Sequence, residues 1–220
     1  MKDVVILGGG GFAREVWWVL EESNLERKEW NILGFIDENP EAKGKTLCEL
    51  PVLGGFDWFR PLSSRPQVIC GVGSNATRRK FATQARELGL EFCTAIHPSA
   101  RMSRFVEVGA GSVICAGNTL TTQIVIGAQV NVNLHCTIGH DAHIADFCNV
   151  SPGVHLSGHV VLEEGVDVGT GVSVLPGKRV GRGSVIGSGA VVTSDIPPFS
   201  VALGVPAKVT RSLQPTGGGG

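Results

Sequence analysis

Five of the six histidines, His135, His140, His143, His155 and His159, fall within twenty-five residues. Imidazole titrates near neutrality, so such a cluster points to proton transfer or metal ligation more than a lone core histidine would. His140 is followed directly by Asp141. A neutral imidazole can take a proton from an attacking amine or hydroxyl while the carboxylate fixes its tautomer and stabilises the imidazolium, which is worth about 10²–10⁴ in rate. His135, His143, His155 and His159 read individually as surface or packing residues. A second candidate lies near the N-terminus, where Gly8, Gly10 and Ala13 fit G-x-G-x-x-[G/A]. Glycine there lets the backbone approach a diphosphate, and a following helix N-terminus supplies partial positive charge; tight packing turns with no ligand are the alternative.

The histidines sit in a repeat. From Ile96 the chain steps by six through Met102, Val108, Ile114, Leu120, Ile126, Val132, Ile138, Ile144, Val150, Leu156, Leu162, Val168, Val174, Val180, Ile186 and Val192, every one aliphatic or Met. At the chain's 42% apolar content such a run would arise by chance about four times in ten million. The residue that follows is often small, as in Val108-Gly109, Ile126-Gly127, Ile138-Gly139 and Ile186-Gly187, which suits a corner. Three hexads of short strand plus turn make one triangular coil, coils stack by parallel pairing, and the aliphatic residue of each hexad points inward. His140, third in its hexad, then points outward at a strand or corner. Cys136 and Cys148, at the fifth position, read as small buried hydrophobes.

The glycine loop has a different setting. Val4–Leu7 is a buried-strand run, followed by the glycines and an apolar helical stretch to Leu20. Ile32–Ile36 reads as a second strand ending at Asp37, whose carboxylate could accept from a ribose or a base. Gln67–Cys70 reads as a third, leading through Gly73, Ser74 and Asn75 into a helix from about Thr77 to Leu88. This is a small Rossmann-like unit, with too few residues for the second half of a dinucleotide site, so a mononucleotide or sugar nucleotide fits better than a dehydrogenase cofactor. The expected organisation is a nucleotide-binding domain over 1–94, a β-helix over 95–198, a closing segment over 199–214 and a disordered tail over 215–220. The join falls at Ile96-His97-Pro98-Ser99-Ala100, and Pro197-Pro198 stops the repeat.

Composition narrows the classes further. At 220 residues the chain can bury a sizeable core, and its 19 basic against 20 acidic residues, with no Lys/Arg run that could track a phosphate backbone, argue against nucleic acid as a partner. No stretch nears the roughly 18 apolar residues of a membrane span, so neither membrane insertion nor export is expected, and a cytoplasmic location is. The six cysteines form no C-x-x-C pair and read as reduced thiols. Thirty-one glycines, no Tyr and only 18% charged residues favour tight turns over a charged helical bundle.

The hexads, together with Asn131 to Gly153 around His140-Asp141 and the segment Leu203-Gly204-Val205-Pro206-Ala207-Lys208, resemble the hexapeptide-repeat acyltransferases. Within these, nearly the whole chain is similar to the sialic acid O-acetyltransferase and bacterial nucleotide-amino-sugar N-acetyltransferase family. The resemblance implies a Rossmann-like domain followed by a left-handed parallel β-helix, and a homotrimer with sites between subunits. It further implies acetyl-CoA along the helix and a nucleotide-sugar acceptor on the N-terminal domain, with no metal required. It places the base and its partner on His140 and Asp141, an oxyanion-binding N–H on Gly158, and coenzyme contacts near Thr170, Ser188 and Asn149. Gly158 follows His140 by eighteen residues and should stack one coil above it, where such a donor is needed. The acceptor falls to Gly8, Gly10, Gly11, Phe12, Ala13, Asp37, Gly73, Ser74, Asn75 and Asn133. Asn149 departs from the pattern, since several members carry a second histidine in that segment.

The expected function is acetyl-CoA-dependent N-acetylation of a nucleotide-linked 4-amino-4,6-dideoxyhexose, with His140 as base and direct transfer. O-acetylation of sialic acid or another sugar hydroxyl is the first alternative. A non-catalytic scaffold is another, as is a zinc hydratase of the β-helical carbonic anhydrase kind, whose ligand spacing His135 and His140 match but whose third histidine is missing.

Overall fold

The structure, a computed structural model, describes residues 1–214; the expected tail lies outside the described residues. Two compact units emerge: Met1–Pro98 with Ala110–Cys115, and Ser99–Gly109 with the described chain from Ala116 to residue 214. The first unit thus runs past residue 94 and takes in the parallel strand pair Ala95–Ile96 and Val113–Ile114.

The first unit contains β1 (Lys2–Leu7), α1 (Gly11–Glu26), β2 (Trp30–Ile36), β3 (Thr46–Leu47), β4 (Leu50–Gly54), β5 (Gln67–Cys70) and α2 (Asn75–Glu87). Their sheet has the order β3-β4-β2-β1-β5, parallel apart from the antiparallel edge strand β3. Val4 to Leu7 and Val68 to Cys70 are fully buried, as strands covered on both faces require, and this explains their unbroken aliphatic runs. After β1 the chain adds β2 on one side and, later, β5 on the other. The crevice at the carboxyl ends of β1 and β5 is therefore the switch point where open α/β sheets take ligands.

The second unit is a three-sided parallel β-helix. Its strands are mostly two residues long, and each residue pairs with the one eighteen positions on: Thr119 with Thr137, then His155, Ser173 and Val191; Val125 with His143, then Val161 and Arg179; Asn131 with Asn149, then Asp167 and Val185. Three hexads make one coil. Every inward aliphatic from Ile114 to Val192 is buried, whereas Ile96, Met102 and Val108, in the opening hexads, are half-buried.

Two small-residue columns turn the corners, for different reasons. A Cβ on Gly139 or Gly181 would strike the backbone of the next coil, so these residues after the inward aliphatic are small because coils stack closely there. The left-handed backbone comes two residues later, at Gly117, Gly171 and Gly177 among others, with φ of +73°, +69° and +70°. Pro197-Pro198 breaks the hexad register without ending the sheet. Ser200–Leu203 still pairs in parallel with Val185–Ile186, and Lys208–Ser212 folds back antiparallel along it.

Candidate active site

In the β-helix, His140 and Asp141 form the corner that follows Thr137–Ile138. His140 Nδ1 lies 2.7 Å from Asp141 Oδ2. A carboxylate only accepts, so this bond keeps the proton on Nδ1 and leaves a lone pair on Nε2. The left-handed backbone at Asp141, φ +59°, lets adjacent side chains meet, which a strand with alternating side chains would prevent. One coil on, Gly158 stacks against the imidazole: a Cβ there would stand 2.6 Å from His140 Nε2. Its carbonyl accepts from Gly177 N–H at 2.9 Å, while its own N–H has no acceptor among the described residues.

His159 completes this corner. Its N–H donates to His140 O at 2.8 Å, its ring meets the His140 ring edge-on at 5.0 Å, and its Nε2 is 3.8 Å from Asp141 Oδ2. His140, Asp141 and His159 are the one group of three potential metal ligands among the described residues, and all three are exposed. Residue-by-residue reading gave His159 no role. The signal was the coil pitch, which puts residue 159 directly above Asp141 at the same left-handed position.

Thr170 and Ser188 stand at the neighbouring corner on successive coils, both exposed, with Gly189 N–H donating to Thr170 O at 2.8 Å. Asn149 lies on the face that leads to this corner, where its Oδ1 accepts from Asn131 Nδ2 at 3.2 Å. Asn133 belongs here too, its N–H bonded to Val150 O at 2.8 Å. His135 is at the same corner, with its ring against Gly117. Within one chain the expected residues therefore form two groups, separated by the face that carries Thr137, His155 and Ser173.

In the first unit, a cleft of ≈ 280 Å³ at the carboxyl ends of β1 and β5 is lined by Gly8, Gly10, Gly11, Phe12, Asp37 and Gly73. Gly8 is glycine for its backbone, φ +110°. Gly10 and Gly73 have no protein atom within 4 Å of where a Cβ would be, so their bareness leaves open space. Gly10 caps α1 with no side-chain hydrogen bond, and no acidic residue occupies the first turn, which leaves the helix N-terminus open to an anion. Asp37 accepts from Asn39 N–H at 2.8 Å, and its Oδ2 lies where a Cβ on Gly9 would be, so Gly9 joins the site. Ala13 does not face the cleft. It is fully buried and packs on Gly71, which brings α1 against the end of β5. Ser74 caps α2 through Thr77 N–H at 3.4 Å, and Asn75 Oδ1 accepts from Arg78, so both side chains hold the loop. Thr77 also lines the cleft and was not foreseen.

None of the six cysteines is in a disulfide, and all but Cys48 are buried. Burial pushes the thiols of Cys70 and Cys93 up to about 12 and that of Cys136 up to about 11, which removes them as nucleophiles.

Residues 3–85 match the PglD N-terminal domain family. The chain is 26% identical over 200 residues to the GDP-perosamine N-acetyltransferase of Escherichia coli O157:H7, an alignment covering 90% of this chain and 81% of that protein. The fold matches PerB of Caulobacter crescentus in complex with CoA and GDP-perosamine, with a TM-score of 0.87 and 30% identity over 96% of this chain and 98% of that one. It also matches the acetyltransferase domain of PglB from Neisseria gonorrhoeae FA1090 in complex with acetyl coenzyme A, at a TM-score of 0.86 and 31% identity over 94% and 98% of the two chains. These relatives are acetyltransferases, which sets aside the hydratase and scaffold readings. The chain belongs to the hexapeptide-repeat sugar acetyltransferases, in which a Rossmann-like domain precedes a left-handed parallel β-helix.

Proposed function

We propose that the protein transfers the acetyl group of acetyl-CoA to the amine of a nucleotide-linked amino sugar, a 4-amino-4,6-dideoxyhexose of the kind represented by GDP-perosamine. The observation that carries this reading is the His140-Asp141 pair, with its acceptor nitrogen over Gly158, in a chain that matches a CoA- and GDP-perosamine-bound enzyme over nearly its whole length. The acceptor nitrogen attacks the thioester carbon as His140 Nε2 takes its proton, and the Gly158 N–H donates to the developing oxyanion. The C–N bond forms, the C–S bond breaks, and the imidazolium returns the proton to the CoA sulfur. A thioester is already activated, so direct transfer needs no covalent enzyme intermediate.

The nucleotide binds in the glycine cleft of residues 1–94, with its phosphates at the start of α1 and Asp37 accepting from the ribose or base. Thr170, Ser188 and Asn149 contact the coenzyme and Asn133 the sugar. Because these residues and His140 stand at different corners, a homotrimer unites them: one subunit's His140 corner faces its neighbour's Thr170 corner. The enzyme acts in the cytoplasm; no helix among the described residues is long and apolar enough to cross a membrane.

The test is thiol release from acetyl-CoA with GDP-, UDP-, dTDP- and CMP-linked sugars in amino and hydroxyl forms. Turnover with one amino sugar, reduced at least a hundredfold in His140→Ala, is expected. Turnover with hydroxyl forms alone would replace the acceptor class, and full activity in His140→Ala would remove the base. Mixing inactive His140→Ala chains with inactive Thr170→Trp/Ser188→Trp chains should restore activity in mixed trimers. Failure to complement, or a monomer in sedimentation, would refute the shared site.

A further inference from the structure

Arg78, near the start of α2, has no exposed surface. A guanidinium survives such burial only where acceptors meet its donors. Nη1 donates to the carbonyl oxygens of Val72 at 2.9 Å and Gly73 at 3.0 Å, and Nη2 donates to Asn75 Oδ1 at 2.5 Å. The two carbonyls belong to the loop from β5 to α2, where Val72 and Gly73 line the glycine cleft, and the amide oxygen to the first residue of α2. Its charge is felt nearby, where it opposes the burial that raises the Cys70 thiol.

The C=O and N–H of a trans peptide point in opposite directions. Turning the Val72 and Gly73 carbonyls onto Arg78 therefore turns the N–H groups of Gly73 and Ser74 away from it, and both residues are exposed. Gly73 adds no side chain there. Successive backbone N–H groups aimed one way form an anion-binding concavity, and the uncapped N-terminus of α1 stands at the cleft that Gly73 lines.

We propose that Arg78 is a positioning residue for acceptor binding: from beneath, it sets the Val72–Asn75 loop so that its N–H groups, with the start of α1, hold the phosphates of the nucleotide-linked sugar. The proposal rests on the nucleotide-sugar reading above. Arg78 itself touches no ligand, and a lysine cannot reproduce its planar fork across two carbonyls and an amide oxygen.

Arg78→Lys and the milder Asn75→Ala, each checked for a native melting transition, test it. The acceptor KM should rise at least tenfold in Arg78→Lys and by a smaller factor in Asn75→Ala, with the KM for acetyl-CoA and the saturating kcat within twofold of wild type. By calorimetry the tightest of GDP, UDP and dTDP should lose the same factor, while its nucleoside loses less than twofold. An unchanged acceptor KM in the folded variants, or an equal loss for nucleoside and diphosphate, would overturn the proposal. If Arg78→Lys does not fold, Asn75→Ala decides by the same readouts. Wild-type protein that binds none of the three diphosphates would instead sink the nucleotide-sugar reading, and this proposal with it.

Discussion

The coils between residues 123 and 159 and those between 165 and 189 share one backbone path but differ in what occupies their left-handed corners. In the later coils the corner is always glycine: Gly165, Gly171, Gly177, Gly183 and Gly189. In the earlier ones it is Gln123, Gln129, His135, Asp141, Phe147, Gly153 and His159. A left-handed conformation costs a residue with a Cβ about 1–2 kcal/mol. The later coils avoid that cost, and the stretch that carries the titratable side chains accepts it. At Gln123, His135, Asp141 and His159 the strained corner carries an exposed side chain, whereas Gln129 and Phe147 turn theirs into buried positions. The glycine cleft of the first unit takes the opposite route, with side chains removed at Gly10 and Gly73 so that the backbone is left bare.

Gly158→Ala should break this contrast most severely. The new methyl would meet His140 Nε2 at 2.6 Å and displace the ring from Asp141. Since a displacement of about 1 Å can cost about 100-fold, kcat measured by thiol release should fall on that order with the melting temperature nearly unchanged. A kcat within threefold of wild type would show that the ring position is not critical.

Asp141→Gly should separate strain from function. It deletes the carboxylate but relieves the corner, so kcat drops about tenfold or more while stability to urea rises by up to about 1 kcal/mol. Gln123→Gly, the same corner one coil earlier, should bring the stability gain with activity intact. Loss of stability in both variants would refute the assignment of strain.

The converse is Gly177→Ala, where φ is +70° and no protein atom lies within 4 Å of the new methyl. It should cost about 1 kcal/mol in urea titration, at full activity. A neutral result would mean the coil relaxes freely at this corner.

The smallest effect concerns Glu163, which accepts from Arg182 N–H and from Arg179 Nη1, each at 2.9 Å. The Arg182 N–H, helped by Arg179, holds its carboxyl below the ordinary value of 4.5. Its stabilisation is therefore full above that value and lost as pH falls through the lower folded-state value. Glu163→Gln should lower the melting temperature slightly at pH 7, by a margin that shrinks steadily as pH falls below 4.5. A margin that does not change with pH would point to shape, not charge.

The hexad spacing made the β-helix legible from Ile96 because the inward positions share one environment, fully buried from Ile114 onward, and no loop interrupts the register. In the first unit β1, β2 and β5 were readable as short apolar runs. The hairpin of β3 and β4 was not, since Cys48 and Glu49 stand at its left-handed turn where Asn-Gly would have announced one. Arg78, in the run Thr77-Arg78-Arg79-Lys80, looks like any solvated basic turn. Only the returning loop shows that it is buried. Likewise the link from Asp141 to His159 is a property of coil pitch and corner conformation, which no neighbouring residue declares.

A parallel β-helix has open strand edges at its ends, and such edges invite copies to add on. Here the last coil is sealed. Lys208–Ser212 runs antiparallel along Ser200–Leu203 and places Lys208 and Arg211 on the outermost strand, while Val191 is bonded on both sides, to Gly204 O and from Ala207 N–H. Parallel stacking cannot continue past an antiparallel, charged border. The segment after Pro198 therefore covers two of the three strand edges of the last coil, and its removal would leave Val185–Ile186 and Val191 with unpaired backbone that a second chain could meet.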